Sequence, residues 1–518
     1  MAEEHLIGVD LGTSVVKATV FRTDGRALAD ATRETKLYTP CPGQAYQQPE
    51  DFCPAVLDCL GEVVAKADLG PGEVAAIGFD GQMGGALGID MDWQPITPWF
   101  VSTLDTRYVP YLKQMQERAG ESLVRLSGAM PFTTPRLLWW EAEHPDVYER
   151  IHKVMILGNY VAGVLAGLRG DQAFVDPSYI AFFGGADTAR RCWSPELLEA
   201  CGVPLEKLPN IVPATTVIGG LTREAARACG LAAGVPLVAG VGDQVATCLG
   251  AGLVQSGQLS DGAGTYSILA ACLDRFLSDT RHGMLQTLAG PISDSHWYSI
   301  MYVTGGGLTH RWFRDQFGCE EKAQAESVST SAYQLLDQKA ANLPPGCDGL
   351  LFIPHLFGRS CPEDPDVRGT WIGFSWNHHK EHFYRSVLEG IAYDYAETLS
   401  VIREYFPDIV YKEVRATGGG ANSDLWNQIK ADVLGLPYLR LQREDLAALG
   451  CSVIAGHAVG IYPDIADAAR CCAQTTVRYE PSPEAHRRYA VYSELYCRAF
   501  GQLRGLYGEL AAARDKCA

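Results

Sequence analysis

The sequence predicts an α/β fold of two large domains with a cleft between them, and three observations carry that expectation. A chain of 518 residues exceeds what one ordinary core holds, so two domains of about 200 to 250 residues are expected. Apolar runs of strand length end in Gly- and Asp-rich turns and alternate with amphipathic helical stretches, the pattern of α/β units. A strand, glycine-hydroxyl turn, strand unit opens both halves of the chain, as a duplicated domain would.

In chain order, the stretch "HLIGVDLGTSVVKATVFRTDG" opens the first half. Leu6, Ile7 and Val9 read as a buried strand and residues 16–21 as a second, joined through the turn at residues 10–14. A helix follows over residues 51–66, with Val56, Leu60, Val63 and Val64 among its apolar positions. "VAAIGFDGQMGGALGID" reads as strand, glycine-rich turn over 80–85, and short strand. Helices and loops fill residues 109–167, where Trp139 and Trp140 belong to a core face. "GVPLVAGVGDQVATCLGAGLV" reads as a strand over 235–241, a Gly242-Asp243 turn and a small-residue helix from Gln244. "GQLSDGAGTYSILAACLD" then repeats the opening pattern, which places the domains at 1–252 and 253–518. Near the end, "VRATGGGANSDLWNQIKADVLGLPYLRL" reads as strand, glycine turn, amphipathic helix and strand. The last segment has Tyr and Leu at helical spacing and reads as a packing or dimer helix, so both a homodimer and a monomer stay open.

Composition narrows the function. Hydrophobic residues make up 47% and charged residues 20%, an ordinary globular balance. A net charge of −18 argues against nucleic acid or an anionic membrane as partner, because such surfaces need clustered Lys and Arg. No apolar run approaches the ~20 residues of a membrane span. The acidic start Met1-Ala2-Glu3-Glu4 does not read as a secretory signal. The sixteen cysteines are scattered and form no Cys-x-x-Cys, so the expectation is reduced thiols in a cytoplasmic protein. His378 and His379 have no third ligand at metal spacing. A small-molecule substrate is the default.

Four loops then ask for one explanation: 10–14, 242–244, 262–265 and 418–422. Each follows an apolar strand, where α/β folds present ligand loops. A turn of Gly, Thr and Ser offers N–H groups and hydroxyls suited to a phosphate. Asp10 beside it would repel that phosphate unless a cation lies between, which suggests Mg²⁺, although an Asx-turn is the alternative. Asp243, after a buried strand and before a helix, is a candidate general base; the alternative is a helix N-cap. Gly418, Gly419 and Gly420 would let a flat ligand approach the backbone and would offer it a helix N-terminus.

These residues resemble the FGGY carbohydrate kinases of the actin, Hsp70 and sugar-kinase superfamily, most closely the xylulokinase-like members. The resemblance runs from "GVDLGTSVVKATVF" through "GVGDQVATCLGAG", "DGAGTYS" and "ATGGGANSDLWNQIKADVLGLP" to "EDLAALGCSVIAG", and "GTWIGFSWNHHKEHFYRSVLEG" looks like the family's second signature. It implies two RNase H-like (actin-like ATPase) domains, with ATP and Mg²⁺. On the matching positions, it implies Asp243 as catalytic base and Asp10 with Asp243 at the metal. Gly12, Thr13, Ser14 and Lys17 match the first phosphate loop, and Gly264 and Thr265 the second. Gly418, Gly419, Gly420, Ala421 and Asn422 match the adenosine motif, with Gly306 and Gly307 bordering the nucleotide. Gln82, Met83, Asp105, Arg107, Asp243 and Gln244 fall where the family lines its sugar pocket.

The departures cluster at that pocket. Gly84 stands where xylulokinases carry a histidine, Thr103 where they carry a tryptophan, and Arg136 where lysine is typical. Phosphoryl transfer to a sugar hydroxyl, first of all that of D-xylulose, is the expectation; another ketose or a polyol (tetrulose, hexulose, ribulose, erythritol) is the alternative. A sugar-independent ATPase of the same superfamily and a non-catalytic sugar sensor are the rivals from other classes.

Overall fold

A computed structural model of the chain describes residues 4–102, 104–264 and 266–517. Two mixed sheets organise it. The first contains the antiparallel meander β1 (His5–Leu11), β2 (Val15–Arg22) and β3 (Ala27–Glu34). To it are added β4 (Val74–Gly81), β5 (Val217–Gly220) and β6 (Pro236–Gly242), in the order β5-β6-β4-β1-β2-β3. The second contains β7 (Gln258–Ala263), β8 (Ser267–Leu273), β9 (Gln286–Ala289), β10 (Trp297–Val303), β11 (Glu413–Thr417), β12 (Tyr438–Leu441) and β13 (Thr475–Tyr479), in the order β9-β10-β8-β7-β11-β12-β13.

The second sheet repeats the first strand for strand, with β9 added at one edge. Each has a three-strand antiparallel meander, two further strands parallel to its first strand, and an antiparallel edge strand. Parallel strands share the edge at which they end. In the first sheet Leu11, Gly81 and Gly242 lie in register at that edge, so the residues that follow them emerge side by side.

Nine helices position the site. They are α1 (Phe52–Lys66), α2 (Thr134–Glu143), α3 (Asp243–Gly250), α4 (Gly306–Phe317), α5 (Ala332–Ala340), α6 (Lys380–Tyr405), α7 (Asp424–Leu434), α8 (Ala447–Ala458) and α9 (Pro483–Cys517). Helix α1 buries Phe52, Val56, Cys59, Leu60 and Val63, the 3.6-residue stripe that its sequence presents. Helix α8 comes from the second half of the chain yet packs on the first sheet. A Cβ on Gly8 would lie 1.8 Å from the Ala448 carbonyl oxygen, and one on Gly78 would lie 2.3 Å from that of Cys451. Glycine at both positions lets the helix backbone rest on the strands.

One apolar core surrounds the first sheet and includes α8; a second surrounds the other sheet with α6, α7 and α9. Trp139 and Trp140 are buried in the first. Helix α9 buries Tyr489, Tyr496, Phe500 and Tyr507 in the second and leaves Val491, Leu495, Leu506 and Leu510 exposed.

Three local expectations change. The β1–β4 ladder continues through Leu11 and Gly81, so Asp10 and Asp80 are paired strand residues and the turns begin after them. Asp243 is the first residue of α3, whose N-cap is Gly242 without a side-chain cap bond, so Asp243 is no N-cap. The glycines at 418–420 do not present a helix N-terminus. A short 3₁₀ turn, Gly419–Asn422, intervenes, and α7 is capped by Ser423, whose Oγ accepts from the Trp426 N–H at 3.0 Å.

Candidate active site

Three carboxylates mark the carboxyl edge of the first sheet: Asp10 on β1, Asp80 beside it on β4, and Asp243 one residue beyond β6. Burial above all, with the Asp445 charge adding to it and a bond from Asp80 and the charge of Lys17 opposing it, holds Asp10 up to about 6. Asp80 is held well above the usual carboxylate range by burial, then by Asp10 and, more weakly, Asp243. Burial, with the Asp10 charge behind it, pushes Asp243 up to about 7, against the opposing bond from the Gln244 N–H to its Oδ1 at 2.6 Å. A base whose proton leaves near neutral pH is matched to general-base work.

The turn between β1 and β2, expected to meet phosphate, is tied from behind. The Thr13 carbonyl accepts from the Thr35 hydroxyl at 2.6 Å and from Gln47 Nε2 at 3.0 Å, and the Gly12 carbonyl accepts from Gln82 Nε2 at 3.2 Å. Ser14 in this turn is exposed. Lys17 pairs with Asp445 at 2.7 Å and, more distantly, with Asp30 at 3.7 Å. It is therefore anchored to the segment leading into α8.

Gln82 differs from its expected place as a sugar reader. It is 4% exposed, and its amide also donates to Gln47 Oε1 at 2.8 Å and accepts from Trp99 Nε1 at 3.1 Å. Its contacts hold the phosphate loop, with Gln47 and Trp99 as partners. Met83 packs on Gly242, where a Cβ would lie 2.5 Å from Met83 Cε. Asp105 accepts from the Ala45 N–H at 3.1 Å and from Arg107 Nε at 3.0 Å. The Arg107 guanidinium lies 4.5 Å from the Phe100 ring centroid and 4.6 Å from that of Trp139, so an aromatic seat orients it. Gln244 begins α3 beside Asp243, partly exposed.

Arg136 ties the neighbouring loops together. It is 1% exposed, donates to the carbonyls of Gly84, Ser102, Asp105 and Phe132, and stacks on Tyr108. Burial lowers it to about 10. Gly84 has φ +78, and a Cβ there would lie 2.9 Å from Phe132 Cδ2, so this backbone suits glycine and disfavours the histidine of the resemblance. Thr103 and Thr265 lie outside the described residues.

Gly264, Gly307, Gly419, Gly420 and Asn422, five of the positions expected at the nucleotide, come together in the second half of the chain. A cavity of about 530 Å³ is lined by Gly264, Gly307, His310, Tyr333, Asp337, Gly419, Gly420, Asn422 and Trp426 among others. Gly419 faces open space. Gly418, at φ +80, and Gly420 lie against Ala263, whose atoms a Cβ on either would approach to 2.9 and 2.7 Å. Gly418 and Ala421 border a smaller pocket of about 280 Å³ next to Arg443 and Glu444. Gly306 packs on Ser267, where a Cβ would lie 1.8 Å from its Oγ, and Gly307 reaches the cavity. Ser423 and Tyr384 donate to the two Asp337 oxygens, each at 2.7 Å.

Among the described residues, no group of three or more His, Cys, Asp or Glu side chains is arranged to hold a metal by itself. The donor set nevertheless fits a magnesium ion. Asp10 and Asp243 are mutually repelling carboxylates, and Asp80 beside Asp10 leaves Oδ1 buried without a hydrogen-bond partner. Mg²⁺ is commonly held by one or two carboxylates, with substrate phosphates and water completing its octahedron.

Sequence reasoning missed Asp80, Gln47, Asp445 and Asp337. Asp80 carried a signal, an aspartate closing an apolar strand as Asp10 does. The other three acquire their place only by long-range pairing.

The model of the N-terminal domain of the FGGY family of carbohydrate kinases matches residues 5–250, and that of its C-terminal domain matches residues 263–459. The gluconokinase of Bacillus licheniformis is 27% identical over 515 residues, 98% of each chain. The autoinducer-2 kinase of Yersinia enterocolitica is 30% identical over 503 residues, 94% of this chain and 92% of its own. Among solved structures, ligand-bound xylulose kinase from Lactobacillus acidophilus matches with a TM-score of 0.87 at 23% identity, covering 98% of this chain and 100% of its own. The paired sheets are those of the actin-like ATPase fold.

Proposed function

The chain belongs to the FGGY family of carbohydrate kinases, and on that premise we propose that it transfers the γ-phosphoryl group of ATP to a hydroxyl of a small sugar with Asp243 as general base. One observation carries the reading. Leu11, Gly81 and Gly242 end their strands in register, so the phosphate turn, the sugar-side loop and the raised Asp243 carboxylate emerge together.

In this mechanism the nucleotide base occupies the cavity beside Gly419, and the phosphates lie between the Gly12–Ser14 turn and Gly264. The sugar lies on the side of Met83, Asp105, Arg107 and Gln244, the positions that the family resemblance gives to its sugar pocket. Arg107, seated on Phe100 and Trp139, offers directed hydrogen bonds to sugar oxygens. As the sugar oxygen attacks the γ-phosphorus in line, Asp243 accepts its proton. The bond to the β,γ-bridging oxygen breaks and ADP leaves with that electron pair. Asp10 and Asp243 would hold Mg²⁺, which when bound supplies positive charge to the triphosphate. The chain contributes positioning, through the tied-back loop carbonyls, and exclusion of water as the cleft closes.

D-xylulose heads the substrates because the end-to-end motifs are xylulokinase-like. Gly84 and Phe132 replace the imidazole that would read a sugar hydroxyl, so other ketoses, polyols and, given the gluconokinase relative, gluconate follow it. The described cysteines are unpaired, which supports a reducing cytoplasmic setting.

The test is coupled ADP release from MgATP against D-xylulose, D-ribulose, tetruloses, hexuloses, erythritol and D-gluconate, with a sugar-free blank. One sugar raising release far above a slow blank is expected. Steady release that no sugar changes would replace this reading with a sugar-independent ATPase, and sugar binding without any ADP release would replace it with a sensor.

A further inference from the structure

The strand that delivers Asp243 is not regular. The parallel register of β6 with β4 shifts between Val238 and Val241, and Gly240 adopts φ +72, where an added Cβ would lie 1.7 Å from the Phe79 carbonyl oxygen. This bulge turns the N–H groups of Ala239 and Gly240 to the carbonyls of Ala214 and Thr216: Ala239 donates to Thr216 at 2.9 Å and Gly240 to Ala214 at 3.0 Å. Bulges beside active sites re-aim a side chain, and here the pairing with β4 resumes at Val241 and Gly242, where side chains add further bonds to the backbone.

Two adjacent side chains supply these bonds. The Gly242 N–H donates to Ser178 Oγ at 2.8 Å, and the Tyr179 hydroxyl donates to the Val241 carbonyl at 2.8 Å. These are the two ends of one peptide group, Val241–Gly242, which lies one peptide before the Gly242–Asp243 link. Because Ser178 Oγ accepts from Gly242, its own proton must go elsewhere, and Asp176 Oδ1 takes it. The same Oδ1 accepts the Ser178 N–H at 3.1 Å. The Tyr179 hydroxyl also lies 3.4 Å from the Gly81 carbonyl, so one side chain touches the ends of both β4 and β6. Asp176, Ser178 and Tyr179 are 2%, 0% and 1% exposed.

We propose that Ser178 and Tyr179 are positioning residues for phosphoryl transfer: they fix the Val241–Gly242 peptide plane from both ends and thereby aim the Asp243 carboxylate. The inference rests on Asp243 acting as the base. Neither hydroxyl touches substrate, so loss of either should act on the chemical step and leave both ligands' affinities in place. A displacement of about 1 Å in a reacting group is worth about 100-fold in rate.

The test compares Tyr179→Phe, Ser178→Ala, their double variant and Asp243→Asn by kcat, by KM for sugar and ATP, and by thermal midpoint. Turnover is read with the panel sugar giving the largest ADP release, and as sugar-free ADP release where none responds. Each single variant is expected to lower kcat about 10- to 100-fold with both KM values within about threefold. The double variant should lose less than the product of the singles, because both hold one peptide. If Asp243→Asn abolishes transfer while both singles keep kcat within about twofold, the clamp is overturned and the base reading stands. If Asp243→Asn turns over normally, the base reading fails and the clamp with it. Should Ser178→Ala not fold, Tyr179→Phe decides alone, and unfolding of both would make the pair a determinant of folding and overturn the kinetic role.

Discussion

At the scale of single residues, Asp243 couples activity to pH through its surroundings. Burial and the Asp10 charge hold its proton up to about 7, so kcat/KM should rise with pH and level off above about 7 as the base ionises. The same shift affects stability. Between the ordinary value of 3.8 and about 7, the folded chain holds a proton that the unfolded chain has released, so this group's contribution to stability falls as pH rises through that window. Asp243→Asn should therefore lose about 10²- to 10⁴-fold in kcat and yet melt higher than the parent at pH 8, with the gap closing toward pH 4; melting curves at the two pH values check it. Gly84 gives a second prediction. At φ +78 against Phe132, Gly84→His incurs about 1–3 kcal/mol of backbone strain and should lower the thermal midpoint without improving kcat/KM for D-xylulose. Asp10, Gly12, Asp243 and the glycines at 418–420 were legible because each sits in a contiguous strand-turn pattern. Asp80 was readable in principle but was taken as part of a turn.

At the scale of elements, the bulge in β6 shows how a strand end is aimed. Gly240 cannot carry a side chain without moving the Phe79 carbonyl, so Gly240→Ala should abolish turnover or folding, to be separated by circular dichroism and MgATP binding. The glycine turn at 418–420 illustrates the limit of reading an element from sequence. It was expected to offer a helix N-terminus, but Ser423 caps α7 and the glycines instead allow close contact with Ala263. The cap is a local hydrogen bond that competes with a ligand for the same N–H groups, and only the folded backbone shows which partner takes them. Likewise Gln82 lies in a loop that reads as sugar-facing, yet its amide is taken up by Gly12, Gln47 and Trp99.

At the scale of the whole molecule, the two sheets repeat one topology, but the cores do not divide where the sheets do. Helix α8, from the second half of the chain, rests on β1 and β4 through Gly8 and Gly78. Its leading segment carries Asp445 to Lys17 and Arg443 to Asp30, at 2.7 and 2.9 Å. Thr417 and Asn422 hydrogen-bond the neighbouring Glu444. The glycine turn at 418–420 and the β1–β2 hairpin thus share one short connection. Gly78→Val, which would push Cβ into the Cys451 carbonyl, should lower thermal stability and phosphoryl transfer together, read by melting and ADP release on the same preparation.

The sequence alone determined the fold class, the duplicated strand-turn-strand pattern and the kinase resemblance, since each is written in residues close together along the chain. Tertiary structure decided how those parts are held: Gln47 and Gln82 behind the first turn, Arg136 on the carbonyls of Gly84, Ser102 and Asp105, and Ser178 and Tyr179 on the Val241–Gly242 peptide. Such roles join residues separated by 30 to 100 positions. They arise from satisfying buried carbonyls and N–H groups wherever the folded chain brings donors and acceptors together, which no local pattern encodes.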